Sequence, residues 1–185
     1  RVNDKSYFNT VIGGTYAGSN YLQDSISSSE LASRTIENKT TRINYSLNTS
    51  FNSKINSHLF IKAGILAELL YVDLYYRNRE NTVDWIQIWD QVNQTTLIQG
   101  YLHAKYSIND QLTLNIGLHS QHLALNSSNS VEPRIGIKYQ LSKNSNLNVG
   151  YGMHSQMQPS DLYFYQYPDS NGQMQVTNKD LDFTR

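Results

Sequence analysis

Leu112-Thr113-Leu114-Asn115-Ile116-Gly117-Leu118-His119-Ser120-Gln121 returns later in the chain as Leu147-Asn148-Val149-Gly150-Tyr151-Gly152-Met153-His154-Ser155-Gln156. Its front half occurs a third time as Leu59-Phe60-Ile61-Lys62-Ala63-Gly64-Ile65. Each copy follows a short polar turn, at residues 52–57, 109–110 and 142–145. A leucine and two further apolar residues then fall on alternate positions, with glycine on the opposite face just beyond. Strict two-residue alternation marks a strand with one apolar and one polar face. A unit that turns, runs out apolar on one side and recurs a strand pair later describes a repeating β-meander.

Working outward from the repeat, the alternation predicts seven strands. The first covers residues 7–16 and is followed by a serine-rich polar stretch, 17–40, that reads as a surface loop. The second, 41–52, sets Ile43, Tyr45, Leu47, Thr49 and Phe51 against Arg42, Asn44, Ser46, Asn48 and Ser50. The third, 58–76, is unusually long and carries Lys62, Gly64 and Glu68 among further apolar residues on its second face. Ala, Leu and Glu favour helices, so a helix over 63–74 is the rival reading; the continuing alternation favours a strand. A long connection, 77–95, holds Trp85 and Trp89 at helix-like spacing, as if on a small loop helix. The fourth strand is 96–107, the fifth 111–121, the sixth 133–141, and the seventh ends near residue 158. A loop lies around 126–130, and a tyrosine-rich polar loop fills 159–180.

The composition agrees with extended, half-polar strands. The chain has 185 residues, 14 of them tyrosine and only 3 proline. Lys plus Arg equals Asp plus Glu, 15 each, so no net charge steers the chain to nucleic acid. Cysteine is absent, which removes disulfides, thiolate catalysis and cysteine-ligated zinc. No apolar run is long enough for a transmembrane helix, yet membrane strands pass that test because only one side is apolar. The first residue is arginine and the last segment reads as the start of another strand. The expectation is therefore one partial barrel domain over residues 1–185.

Loop order sharpens the reading. Connections alternate long and short, so every short turn falls at one rim and every long loop at the other. Outer-membrane barrels sort their connections in this way. An aromatic, Phe51, Tyr106 or Tyr139, closes the apolar face beside each short turn, as in an interfacial girdle. The fold class predicted is all-β: an antiparallel meander from a transmembrane outer-membrane β-barrel, open and curved if taken alone.

Glu132-Pro133-Arg134 opening a strand, a Ser-Lys-Asn turn at 142–144, then Gly150-Tyr151-Gly152-Met153-His154-Ser155-Gln156 and Gln158-Pro159 resemble the barrel of TonB-dependent outer-membrane receptors. The resemblance is narrower to those carrying a carboxypeptidase-regulatory-like domain. Tyr163-Phe164 and the stretch from Asn178 to Thr184 are similar to the same region, and Asn9-Thr10-Val11 and Gly14-Thr15-Tyr16 fit it more loosely. The resemblance implies a 22-stranded barrel around a plug domain, of which this chain would supply roughly a third. It also implies import of a scarce small ligand, energy from TonB through an N-terminal region, and a site in the bacterial outer membrane. Importers of siderophores, glycans, peptides and cobalamin share such a wall.

The repeated His-Ser-Gln invites an enzymatic reading, but neighbours on a strand point to opposite faces, so His119 cannot serve Ser120 as a base, nor His154 Ser155. No catalytic residue, metal site or cofactor is assigned. His119, Gln121, His154 and Gln156 are expected on the lumen face, two strand spacings apart, roughly 9–10 Å, too far for one ion. Lys105, Arg134 and Lys138 extend that face as a modestly basic wall, able to attract an anion, pair with plug carboxylates, or simply stay solvated. Trp85, Trp89, Tyr163 and Tyr165 are the candidate ligand contacts of the extracellular loops, with packing of the loops onto themselves as the plainer role. A passive porin and an outer-membrane hydrolase are the alternatives from other classes; the first would lack a plug, and the second would need a Ser, His and acid converging at the rim.

Overall fold

A computed structural model describes residues 2–26, 31–79 and 84–185. Seven strands form one antiparallel sheet in simple sequence order: β1 (Ser6–Ile26), β2 (Ala32–Lys54), β3 (Leu59–Asn78), β4 (Ile86–Ser107), β5 (Leu112–Leu123), β6 (Ser128–Ser142) and β7 (Ser145–Gly152). β3 runs through 63–74 as a strand, which disposes of the helical alternative. Beyond β7 the chain turns back over the sheet with one helical turn, α1 (Ser160–Tyr163), and a small hairpin, β8 (Gln166–Pro168) and β9 (Met174–Val176).

Two of the short turns are built alike. In Ile55-Asn56-Ser57-His58-Leu59 the Asn56 Oδ1 accepts the backbone N–H of His58 and Leu59 at 2.8 and 2.9 Å. In Ile108-Asn109-Asp110-Gln111-Leu112 the Asn109 Oδ1 takes those of Gln111 and Leu112 at 2.9 and 2.8 Å. A short amide side chain that captures its own downstream backbone fixes where each strand starts. Asn109→Ala is expected to cost about 1–2 kcal/mol through the two lost bonds, read as a lower urea midpoint for the folded receptor in micelles. An unchanged midpoint would show that the ladder alone sets this turn.

Register places one set of residues on each face. Phe8, Phe51, Ala63, Leu102, Leu118 and Pro133 stand in one cross-sheet row. The outward face is apolar over a band of nine residues on four strands: Phe8 to Tyr16, Ile43 to Phe51, Ile98 to Tyr106 and Val131 to Tyr139. That height matches the roughly 9–11 residues a tilted strand needs to cross a bilayer. Its members are open to solvent, Ile12 at 82% and Val149 at 62%, an apolar surface that requires a lipid or protein cover. The row through Phe8 lies at the foot of the band on β1 but at its top on β5, where the band runs from Leu112 to Leu118. From β1 to β7 the band slides by about six to eight residues, some 20–27 Å along strands set about 29 Å apart. The slope is roughly 35–43°, the tilt of barrel strands.

Above the band the first four strands continue as long hairpins. The stretch 17–40, expected as a loop, is instead paired from Ala17↔Arg42 to Ile26↔Ala32, with a bulge at Gln23/Asp24; its tip, 27–30, lies outside the described residues. The stretch 77–95 is likewise mostly strand, apart from 80–83, which lie outside them. Once the outer face is clear of lipid it meets water, so alternation fades while the backbone ladder persists. Arg77 and Glu37 brace adjoining strands there at 2.7 Å, and Arg34 pairs with Asp24.

The buried apolar cluster is on the inward face, above the band. Val72, Leu74, Leu97 and Leu123 of the sheet receive Tyr163, Phe164 and Phe183 from the returning segment. This accounts for the extra apolar residues on the second face of β3. The tyrosine-rich region is thus a packed element, closed by Gly172 at φ 77° in the β8–β9 turn and by Asp169, which accepts the N–H of Gln173 and Asn171.

Candidate functional site on the inner wall

The inward face carries a continuous polar belt. Asn44 on β2 donates to Glu68 on β3 at 2.9 Å, and Gln99 on β4 donates to the other Glu68 oxygen at 3.0 Å. The Gln99 carbonyl oxygen lies 3.1 Å from His119 Nε2, and His119 Nδ1 lies 3.1 Å from Glu132 on β6. Five neighbouring strands are linked side chain to side chain.

Glu132 is the hub. Its side chain is only 3% exposed. It accepts from Gln121 at 2.7 Å, from the Ser155 hydroxyl and backbone N–H at 2.7 and 3.1 Å, and from Arg134 at 2.6 Å. A carboxylate so far removed from water needs this many donors. Two of them come from Ser155, beyond the end of β7, so the carboxylate also ties the returning segment to the wall.

Residue placement follows from this. Lys105, His119, Gln121, Arg134 and Lys138 share the inward face by register. Gln121 is buried and His119 half-buried in the belt, while Arg134 keeps 43% of its side chain exposed. His154 and Gln156 differ from expectation, because the seventh strand stops at Gly152 instead of running to 158. Pro133 accepts the Met153 N–H at 3.0 Å but has no N–H to return, so the ladder ends there. Gln156 pairs instead with Thr184 through two backbone bonds of 2.9 Å. Ser155, assigned to the outward face by alternation, turns inward to Glu132.

The aromatic candidates are also re-placed. Trp89 lies in β4 and not on a loop helix; a spacing of four keeps two residues on one face in a strand as well as in a helix. It contacts the rings of Tyr76 at 5.6 Å and Tyr165 at 6.1 Å. Trp85 is covered by two guanidinium groups, Arg77 at 4.3 Å and Arg79 at 4.9 Å from its ring centre. Tyr163 is 1% exposed and cannot touch a ligand; it is a packing anchor. Burial pushes its hydroxyl above the ordinary phenol range despite the Gln158 N–H that it accepts.

Below the belt the inward face turns basic. Lys62, His103 and Arg134 lie in one cross-sheet row, with Lys105 in the row below and Lys138 beyond it. Lys62, His103 and Arg134 border a groove of about 600 Å³ with Tyr101, Asn115 and Gly117. Among the described residues no cluster of side chains has the make-up of a metal site, and no helix is long and apolar enough to cross a membrane.

Comparison with known proteins agrees with this two-faced sheet. The family model described as TonB dependent receptor-like, beta-barrel, matches residues 2–182. No curated protein and no solved structure matches the chain. Tilted strands, an apolar outer band and a polar inner face all fit a wall in the outer membrane: the chain belongs to the TonB-dependent receptor-like β-barrel family.

Proposed function

We propose that residues 1–185 form one sector of the wall of an outer-membrane receptor that imports a scarce small ligand, driven by TonB acting through a plug domain of the same polypeptide. The observation that carries this reading is the contrast between the faces. Lipid-facing positions are apolar for one bilayer height, and the inward positions hold a hydrogen-bonded belt and an uncovered basic groove. Sheet edges at β1 and β7 would be closed by the remaining strands of the barrel, since exposed edges invite aggregation. Above the membrane, Trp85, Trp89 and Tyr165 with Arg77 form the aromatic and cationic rim that an arriving ligand would meet first.

Uptake by a strain lacking the full receptor gene tests this, against a panel of siderophores, glycans, peptides and cobalamin. Loss of uptake of one compound class, in the deletion strain and equally in a strain without TonB, is the expected result. Uptake that survives removal of TonB would identify a passive pore instead.

A further inference from the structure

The lower part of β6 is paired with β7, but its upper part is not. Pairing stops at Arg134↔Gly152, and the last backbone bond is the Pro133 carbonyl accepting the Met153 N–H at 3.0 Å. Along an antiparallel strand each residue turns its N–H and C=O to one neighbour, and the next residue turns them to the other. Pro133 turns to β7, so Val131 and Asn129 do too, at heights where β7 has already ended. Among the described residues no ladder partner reaches them on that side. Further strands of the barrel add at the free edges of β1 and β7 and do not fall into this gap.

The chain leaving β7 lies on the inner face instead. The Ser155 N–H goes to the Glu132 carboxylate and not to a β6 carbonyl. Its hydroxyl bonds to Ser130 at 2.6 Å and to Glu132 at 2.7 Å, and Gln121 donates to its carbonyl at 3.1 Å. Side chains close the wall here, where lower down a backbone ladder does. A sheet edge turned to hydrocarbon is not tolerated, whereas one that lines an opening is.

Two surfaces meet at this seam. Outside, Val131 at the top of the apolar band is 59% exposed and Met153 40%. Inside, Leu70, Leu97 and Met157 line a pocket of about 390 Å³ together with Gln99, Gln121 and Gln156. Gln121 and Ser155 belong both to the side-chain closure and to the pocket wall. A cavity apolar on one part of its wall and amide-lined on another suits a molecule with an apolar tail and a polar head.

We infer that the seam between upper β6 and the chain leaving β7 is a lateral opening, held shut by Glu132, Ser130 and Ser155, through which the apolar tail of an amphiphilic ligand passes from the outer leaflet into the pocket. The inference rests on the reading of the inward face as the lumen. The full receptor in bilayers of phosphatidylethanolamine and phosphatidylglycerol, with a photo-crosslinking amino acid at Gln156 on the pocket wall, tests it. Probes at outward-facing Ile116 and inward-facing Asn115 are the controls. The Gln156 and Ile116 probes are expected to join lipid acyl chains, and the Asn115 probe is not. Ser130→Cys with Ser155→Cys locks the seam: the two hydroxyl oxygens are 2.6 Å apart, within reach of the roughly 2.05 Å of a disulfide. The chain has no cysteine of its own to compete. Oxidation should lower lipid capture at Gln156 to the Asn115 level, reductant should restore it, and capture at Ile116 should not change. Heat-modifiable migration on gels verifies that each variant still forms a barrel. Lipid captured at Asn115, or none at Ile116, would overturn the two-faced reading itself. No lipid at Gln156, a disulfide that fails to form, or a yield that the disulfide leaves unchanged would overturn the seam alone.

Discussion

Glu132→Ala is expected to lower the stability of the wall by about 3–5 kcal/mol, the range for removing one partner of a buried charged cluster. The loss is set by the groups left behind. Arg134 is well exposed and would be solvated cheaply, so its 2.6 Å bond contributes little by itself. Gln121 is buried and His119 half-buried, and both lose an acceptor that water cannot easily replace. The Ser155 N–H and hydroxyl lose their carboxylate too, which leaves the returning segment only the Ser155–Ser130 hydroxyl bond of 2.6 Å as a side-chain tie from Ser155 to β6. Glu132→Gln keeps the volume but aims an amide N–H₂ at groups that donate, so roughly 1–3 kcal/mol is expected from that variant. Urea titration of the folded receptor, with amide exchange at Ser155, gives the measurement. A double-mutant cycle with Arg134→Ala should return a coupling below about 1 kcal/mol, and one with His119→Ala a larger value. If Glu132→Ala shifted stability by under 1 kcal/mol, the belt would be a solvated surface and not a structural hub.

The same hub shows which parts of the molecule can be read without coordinates. The outward face was legible because lipid imposes one demand on every second residue, and Leu112, Leu114, Ile116 and Leu118 meet it without exception. Strand order followed from the short turns. The long polar stretches read as loops because alternation fades once the outer face leaves lipid, although Ala17 to Ile26 pairs with β2 throughout, with one bulge at Gln23/Asp24. Tyr163 and the upper residues of β3 were harder still. Val72 and Leu74 lie about ninety residues from Tyr163 in sequence, and no local pattern announces such a contact. Glu132 was within reach. Counting back from the tight β5–β6 turn sets His119 opposite Glu132, so hairpin register alone would have joined the repeated histidine to its carboxylate. The second copy of the repeat could not behave like the first, because Pro133 ends its ladder at Met153.

Tyr163→Ala is expected to cost about 3–5 kcal/mol, the usual penalty for removing a large buried ring, but the loss should stay local. Tyr163 is 1% exposed and packs with Phe164 and Phe183 on Val72, Leu74, Leu97 and Leu123. The segment has further ties to the wall: an Arg42–Asp161 ion pair at 3.0 Å with both partners partly exposed, Asn126 donating to the Leu181 carbonyl at 2.7 Å, Gln91 donating to the Phe164 carbonyl, and the Trp89–Tyr165 ring contact. Opening the segment leaves the ladder of β1 to β7 complete, so amide exchange should rise across 157–184 while the strands stay protected. Tyr163→Phe separates packing from the hydroxyl; it leaves the Gln158 N–H without its 3.2 Å acceptor and should cost only about 1 kcal/mol. Burial raises the Tyr163 pKa, reinforced by the nearby Asp182 charge. A folded-state pKa above the unfolded one contributes stability that is complete below the ordinary phenol value near 10 and is lost as pH climbs through the raised value. The wild-type segment should therefore loosen at strongly alkaline pH, and the Tyr163→Phe segment should not loosen by that route. Equal exchange rates in the wild type and Tyr163→Ala would show that the ring does not hold the segment to the wall.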